Sequence, residues 1–277
     1  MDIREKALRA ERLGNPLDEA VKRRDQNVLD LVRRAIAHQE VVLAFQPIVS
    51  AATPTKAAFH ECLLRVLDET GRVIPARDFL PFVAHSELAR ELDCLSLRLS
   101  LQQMAKHPDL SLSVNMSARS IGFHAWTRTL NDALKRHPTI ARRLILEISE
   151  PSVMEVPELV MDFMSEQQPR GIAFALDDYG SGTTSYKLLK DMFFDVIKVD
   201  GGFTKDIAQD AENQVLAGAI AQIADRLEMG SVATRVETRQ EAQVMAKLGF
   251  NFLQGYATGG PTISPPWNPV RRQKTAA

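Results

Sequence analysis

Cysteine is scarce in this chain, whose 277 residues include only Cys62 and Cys94. Secreted proteins that depend on disulfides usually carry several cysteine pairs, so this scarcity argues against an extracellular disulfide framework. The first twenty residues, MDIREKALRAERLGNPLDEA, carry charges where a secretory signal would have an apolar run. We therefore expect a cytoplasmic protein with reduced thiols.

The chain also lacks a charge excess and a long hydrophobic run. Its 34 Lys and Arg residues nearly balance 35 Asp and Glu residues, which gives a formal net charge of −1. Without a basic field, we expect no DNA or RNA polymer as a partner. No apolar stretch approaches the roughly 18 residues of a membrane helix, so we expect no membrane span.

Short apolar runs alternate with amphipathic helical stretches along most of the chain. The eight candidate strands cover residues 42–49, 58–65, 112–116, 144–149, 172–176, 196–199, 231–236 and 250–253. This alternation predicts an α/β fold, namely a (β/α)8 TIM-like barrel in preference to an open doubly wound sheet. No helix fits between the first two runs, so we expect an antiparallel first strand.

The two ends of the chain differ from this pattern. Residues 1–26 are highly charged with leucines at helical spacing, which predicts an N-terminal helical extension before a barrel domain of residues 27–264. Residues 265–277 are rich in proline and then basic, which predicts a flexible C-terminal tail. The N-terminal helix could hold a second copy of the chain or another protein.

The ends of the candidate strands are mostly acidic, and catalytic groups of such barrels lie at the carboxyl ends of the strands. The polar residues there are Glu61, Asn115, Glu147, Asp177, Asp178, Lys198 and Asp200. One such carboxylate alone is more often a helix cap or a surface charge. Several together are too costly to bury without a cation, and oxygen ligands suit Mg²⁺ or Mn²⁺. Two such ions could activate a phosphodiester toward water.

Seven motifs carry a family resemblance. In chain order they read FQPIVS, ECLLR, SVNMSA, LEISE, LDDYGSGTTSY, DVIKVDGGF and FLQGY. Their order and spacing resemble the EAL domain family, the phosphodiesterases that open cyclic di-GMP to linear pGpG. The resemblance covers roughly residues 27–262 and implies a stand-alone EAL domain whose first barrel strand is antiparallel.

The resemblance also implies roles for individual residues. Asp177 would bridge two metal ions, Lys198 would orient the attacking water, and Arg65 would clamp a ligand phosphate. The implied metal ligands are Glu61, Asn115, Glu147, Asp177 and Asp178. The implied catalytic residues are Lys198, Glu61 and Asp177. The ligand contacts, to which we add Asp200 from its strand-end position, are Gln46, Arg65, Asp200 and Gln254.

The chain departs from the family pattern on the seventh strand. The family reads Ala-Glu-Gly-Val-Glu there and uses the first glutamate as a metal ligand, whereas this chain has Thr234 and Arg235 after Ala233. A neutral hydroxyl is a poor ligand for a hard cation, and Arg235 adds a positive charge beside it. We therefore expect an intact first Mg²⁺ or Mn²⁺ site and a weakened second one.

Three functions remain open from the sequence. We favour a cyclic di-GMP receptor or effector with weak or lost hydrolysis, because of Thr234 and Arg235. An active cyclic di-GMP phosphodiesterase is supported by the metal ligands and Lys198, all of which are present. A protein-interaction module without nucleotide is the third, although such a loss would ordinarily erode the motif around Glu61.

Overall fold

The computed structural model describes residues 16–182 and 186–267, and the strands in these ranges form one sheet. The strands are β1 Val41–Ser50, β2 Ala57–Leu67, β3 Val73–Pro75, β4 Leu112–Asn115, β5 Leu144–Ser149, β6 Ala173–Tyr179, β7 Val196–Val199, β8 Gly230–Ala233 and β9 Phe252–Leu253.

The sheet closes into a barrel of eight strands. Its order is β1-β9-β8-β7-β6-β5-β4-β2, and β1 also pairs with β2. β1 is antiparallel to both of its neighbours, while the other barrel strands are parallel. The predicted TIM-like barrel with an antiparallel first strand is therefore confirmed. β3, which is absent from the predicted strands, extends β2 as a three-residue antiparallel partner outside the barrel.

Helices connect most of the strands. In the described ranges they are α1 Pro16–Ala37, α2 Leu80–Val83, α3 Glu87–Lys106, α4 His124–Arg136, α5 Glu150–Glu155, α6 Pro157–Gln167, α7 Tyr186–Asp191, α8 Ala211–Arg226 and α9 Arg239–Lys247. Local sequence fixes several of their starts, as in α9, where Thr238 and Glu241 form a reciprocal capping box. None of the described helices has the length and apolar character needed to cross a bilayer.

The barrel interior is filled by a small apolar layer below the strand ends. Its members come from five strands and are Ile48, Phe59, Ala175, Val196 and Val232. Side chains on one strand face the same side at every second position. Each member lies two residues from a polar residue of the same strand or its end: Gln46, Glu61, Asp177, Lys198 and Thr234. The sequence alternation thus places these polar groups in the next layer, at the barrel mouth.

Both ends of the predicted barrel domain continue into ordered structure. The predicted division after residue 26 falls inside α1, which crosses it without a break. At the other end Trp267 packs edge-on against Phe45 and His60, with ring centroids 5.4 and 4.5 Å apart. Residues 1–15 and 268–277, which make up most of the predicted extension and tail, lie outside the described residues. The domain division stays a prediction.

Candidate active site at the barrel mouth

A buried lysine lies at the centre of the mouth. Lys198 comes from β7, and its Nζ lies 2.6 Å from Glu147 Oε2 on β5 and 3.0 Å from Glu61 Oε2 on β2. Asp177 Oδ1 on β6 lies 3.4 Å from the same nitrogen. Four strands thus bring three carboxylates onto one ammonium, although the residues are far apart in the chain.

Glu61 accepts further hydrogen bonds from two amides. Asn115 Nδ2 donates to Glu61 Oε1 at 2.8 Å, and Gln254 Nε2 donates to Glu61 Oε2 at 2.5 Å. Gln254 Nε2 also donates to Gln46 Oε1 at 3.2 Å, and Gln46 lies opposite Glu61 in the β1–β2 register. The two glutamines and Asn115 therefore hold the Glu61 carboxylate in one orientation.

Burial and mutual repulsion shift the protonation of these groups. Burial, followed by the charge of Glu61, raises the pKa of Glu147 to about 8. Burial also raises the pKa of Asp177 to about 6, against the opposing charge of Lys198. For Glu61, burial acts upward, but Lys198 and the two amides outweigh it and lower the pKa. The surrounding carboxylates raise the pKa of Lys198 although burial alone would lower it, so this ammonium stays charged at neutral pH.

The carboxylates fit a divalent cation. Oxygens of Glu61, Glu147 and Asp177 all lie within 4.8 Å of one another. Glu147 Oε1 is buried and has no hydrogen-bond partner among the described residues, and three carboxylates face the single charge of Lys198. A hard cation would relieve both the buried oxygen without a donor and the raised pKa values of Glu147 and Asp177, because it favours the ionised carboxylates. Asp178 lies outside this group of three.

A bulge in β6 separates the two aspartates. The β6–β7 register shifts between Leu176 and Tyr179, and Asp178 has φ +53°. An extra residue in one strand redirects the side chains around it. As a result Asp177 joins the buried cluster while Asp178 is exposed at the mouth.

Glu150 is a site residue that the sequence analysis missed. It follows β5, is 2% exposed, and its Oε2 accepts a hydrogen bond of 2.9 Å from Gly180 N. This bond ties the loop after the two aspartates to the end of β5. The only sequence signal was a second acid three positions after Glu147 in LEISE, which sequence alone would assign to a helix start.

The remaining expected ligand contacts, Arg65 and Asp200, each make a hydrogen bond within the protein. The half-buried Arg65 at the end of β2 donates from Nη1 to Leu64 O at 2.8 Å. Asp200 Oδ1 accepts from Gly202 N at 2.8 Å and so caps the short turn after β7. Burial lowers the pKa of Arg65, and the exposed Tyr256, which the sequence did not single out, is near enough to oppose this shift.

The position just after β8, where a carboxylate ligand was sought, carries a hydroxyl group instead. Thr234 Oγ1 donates a 2.7 Å hydrogen bond to Val199 O, so its hydroxyl proton is used within the fold. Arg235 follows with φ +52°. The Thr234 position therefore offers no carboxylate, and the residue after it carries a positive charge.

Comparison with known proteins agrees with this geometry. The chain is 26% identical over 234 residues to "Cyclic di-GMP phosphodiesterase PdeB" of Shewanella oneidensis, covering 83% of this chain and 27% of the relative. It is 29% identical over 238 residues to "Probable cyclic di-GMP phosphodiesterase PdeA" of Escherichia coli, covering 84% and 32%. The chain thus spans about a third of the length of these curated relatives.

Solved structures share the fold. A structure described as "PaMucR Phosphodiesterase, c-di-GMP complex" superposes with a TM-score of 0.77 at 28% identity, covering 85% of this chain and 97% of that one. The FimX EAL domain from Pseudomonas aeruginosa bound to c-di-GMP gives a TM-score of 0.78 at 24% identity, covering 86% and 97%. The EAL domain profile matches residues 30–261, and the chain therefore belongs to the EAL domain family.

Proposed function

We propose that this domain binds cyclic di-GMP at the barrel mouth with one divalent cation and hydrolyses it weakly or not at all. The observation that carries the proposal is that one side of the barrel mouth has clustered carboxylates and the end of β8 has none. The Glu61, Glu147 and Asp177 carboxylates surround Lys198. At the end of β8, by contrast, Thr234 has no carboxylate and is bonded to Val199 O.

The ligand identity is supported by the relatives. Two of them are called cyclic di-GMP phosphodiesterases, and two similar structures contain c-di-GMP. A cyclic dinucleotide carries two phosphodiesters, which a cationic rim would attract. Arg65 can present two parallel N–H groups to one phosphate, a geometry that lysine cannot reproduce.

The first cation site would be formed by Glu61, Asn115, Glu147 and Asp177. A divalent ion bound there would polarise a phosphate oxygen of the ligand. Lys198, which stays protonated, supplies a positive charge and N–H donors next to the reacting phosphate rather than acting as a base. Glu61 is held by Asn115 and Gln254, so the site is largely oriented before ligand arrives.

Weak hydrolysis follows from the number of cations. Attack by water on a phosphodiester develops charge on both the entering and the leaving oxygen, and two cations stabilise both. With Thr234 in place of a carboxylate, the second site lacks a strong ligand. Binding needs only charge neutralisation of the phosphate, so binding is expected to survive where turnover does not.

An active cyclic di-GMP phosphodiesterase is the second candidate. It is favoured by the retention of Lys198 together with the three clustered carboxylates. In that case Glu237 or water would replace the missing ligand. A cytoplasmic location and a partner bound to α1 stay predictions from the sequence.

The test compares binding with turnover on the whole chain. Cyclic di-GMP is titrated calorimetrically in Ca²⁺, and chromatography follows pGpG formation in Mg²⁺ and in Mn²⁺. We expect binding in Ca²⁺ and slow turnover, faster in Mn²⁺ than in Mg²⁺ because Mg²⁺ demands nearly ideal octahedral coordination.

Glu61→Gln serves as the site variant and Glu155→Gln, an exposed residue at the end of α5, as its matched control. The first should lose cation-dependent binding and the second should retain it. Fast turnover by the wild type would favour the active enzyme. Absence of cyclic di-GMP binding in every cation would instead leave the protein-interaction module.

A further inference from the structure

Arg235 adopts a backbone conformation that favours glycine. Its φ is +52°, in the left-handed region, and it does not end a helix. A side chain other than glycine in this region carries strain, and such strain persists where the surrounding structure holds the residue in place. The unusual conformation turns the chain at the end of β8, next to the mouth.

Gly201, in the short turn after the neighbouring strand β7, makes room for the arginine side chain. A Cβ added to Gly201 would lie 2.7 Å from Arg235 Cγ and 2.9 Å from Arg235 Cβ. No larger residue at position 201 is compatible with this packing. The stem of Arg235 is thus seated across the backbone that follows β7.

The strand register shows which strand ends lie next to Arg235. Val199 pairs with Ala233 on one side and with Tyr179 on the other, and Asp200 N donates to Tyr179 O. The ends of β8, β7 and β6 are therefore neighbours in the barrel, and Gly201, two residues after Val199, lies against Arg235. Asp178 also has a positive φ, of +53°.

Charges at this side of the mouth are complementary. Asp178 is acted on by the positive charges of Lys198 and Arg235 and by the like charge of Asp200. Lys198 is already bonded to Glu61 and Glu147. Of the two described cations that act on Asp178, Lys198 is thus bonded to Glu61 and Glu147, whereas Arg235 is not.

We propose that the Arg235 guanidinium acts as the second cation of the mouth, neutralising Asp178 and donating hydrogen bonds to a phosphodiester ligand where a second divalent ion would otherwise be needed. The domain then uses one metal ion and one arginine. The inference rests on the proposed function for the identity of the ligand only. The number of metal ions does not depend on it.

The first experiment measures Mn²⁺ stoichiometry without nucleotide, by calorimetry and electron paramagnetic resonance. We expect one Mn²⁺ per chain in the wild type and two in the double variant Thr234→Glu/Arg235→Gly. Two ions in the wild type would overturn the proposal, as would a single ion in a folded double variant.

The second experiment measures cyclic di-GMP affinity in Ca²⁺. Arg235→Ala keeps the Cβ and the strained backbone but removes the guanidinium, and we expect affinity to fall about tenfold or more. Arg235→Lys should retain part of the affinity. Arg239→Ala, which removes the same charge from the exposed start of α9, should bind as the wild type does. Equal affinity in Arg235→Ala and the wild type would refute the ligand contact.

Two further variants separate binding from structure. Arg235→Gly should melt at or above the wild-type Tm, since glycine adopts this φ without a clashing Cβ, yet it should lose the same affinity as Arg235→Ala. Gly201→Ala should also lose affinity, because the added Cβ displaces the arginine. A lower Tm for Arg235→Gly with unchanged affinity would show a structural role only. A wild type that binds no cyclic di-GMP would contradict the proposed function, while the Mn²⁺ count would still decide the cation question.

Discussion

Lys198 on β7 and Glu147 on β5 form a 2.6 Å ion pair in the barrel, where each residue is only 1% exposed. The pair is not isolated, because Glu61 and Asp177 approach the same ammonium. One positive charge therefore holds together three acidic groups that would otherwise repel each other in a poorly solvated space.

Lys198→Met should destabilise the protein without metal by about 3 kcal/mol, the lower end of the range for leaving buried charges unpaired. Added Mn²⁺ should recover more stability in this variant than in the wild type, since a bound cation would replace the missing charge. Denaturant unfolding with and without Mn²⁺ measures both effects. Lys205→Met, at an exposed position, is the control and should change neither.

Arg65→Ala should weaken cyclic di-GMP binding by about 1.5–3 kcal/mol, the range for hydrogen bonds to charged groups. Arg65→Lys should restore only part of this loss, because lysine cannot donate two parallel hydrogen bonds to a phosphate. Calorimetry in Ca²⁺ gives the affinities, with the exposed Arg77→Ala as the neighbouring control. Unchanged affinity in Arg65→Ala would remove this residue from the site.

Asp177→Asn should harm Mn²⁺ binding more than Asp178→Asn does. Asp177 belongs to the group of three clustered carboxylates, whereas the bulge in β6 leaves Asp178 outside it. Titration of Mn²⁺ into each variant gives the order directly. Equal losses, or a greater loss in Asp178→Asn, would show that the bridging role assigned to Asp177 is wrong.

Thr234→Glu should raise hydrolysis of cyclic di-GMP, and Thr234→Glu/Arg235→Gly should raise it further by removing the competing charge. Each ~1.4 kcal/mol taken off the barrier is worth about tenfold in rate, and a regained cation can supply several such steps. Initial rates of pGpG formation in Mg²⁺ and Mn²⁺ test this. A wild type as fast as the double variant would mean that Glu237 or water already supplies the ligand.

Asp93 should make stability depend on pH. Burial raises its pKa to about 6, although Ser120 Oγ and Ser117 N both donate to Asp93 Oδ2. The folded state therefore binds the proton more tightly than the unfolded state. The free energy of unfolding should rise as pH falls from about 7 to about 4, by at most about 3 kcal/mol from this group.

Asp93→Asn keeps an oxygen for both donors but cannot ionise, so this part of the pH dependence should vanish. Urea unfolding at several pH values compares it with the wild type and with Asp225→Asn, an exposed control on α8. A wild-type slope retained in Asp93→Asn would mean that another group is responsible.

Much of the barrel could be predicted from the sequence because short-range residue patterns indicate its strands and helices. Apolar runs and helical spacing located the barrel strands, and the short connection before β2 required the antiparallel pairing seen between Gln46 and Glu61. The polar residues brought together at the mouth share one simple property. Glu61, Asn115, Glu147, Asp177 and Lys198 each lie two positions beyond an apolar or small residue of the same strand, and the parallel register of these strands brings them together.

Other features depend on contacts that no local pattern encodes. The bulge that separates Asp177 from Asp178 is set by the pairing of β6 with β7. The bond from Gly180 N to Glu150 and the seat of Arg235 on Gly201 join residues from different strand ends. β3 is too short to give a periodic signal, and the packing of Trp267 on Phe45 and His60 joins residues far apart in the chain.

The contact between β1 and β9 joins the two ends of the barrel by only two paired positions, Val49 with Leu253 and Ser50 with Phe252. Such long-range pairing carries a large loop-closure entropy and tends to form late in folding. Gln254, which follows this seam directly, donates to both Gln46 and Glu61. Closure of the seam and completion of the mouth are therefore one event. A ligand that binds the finished mouth should slow hydrogen exchange at the seam, and the occupied domain should resist local opening there.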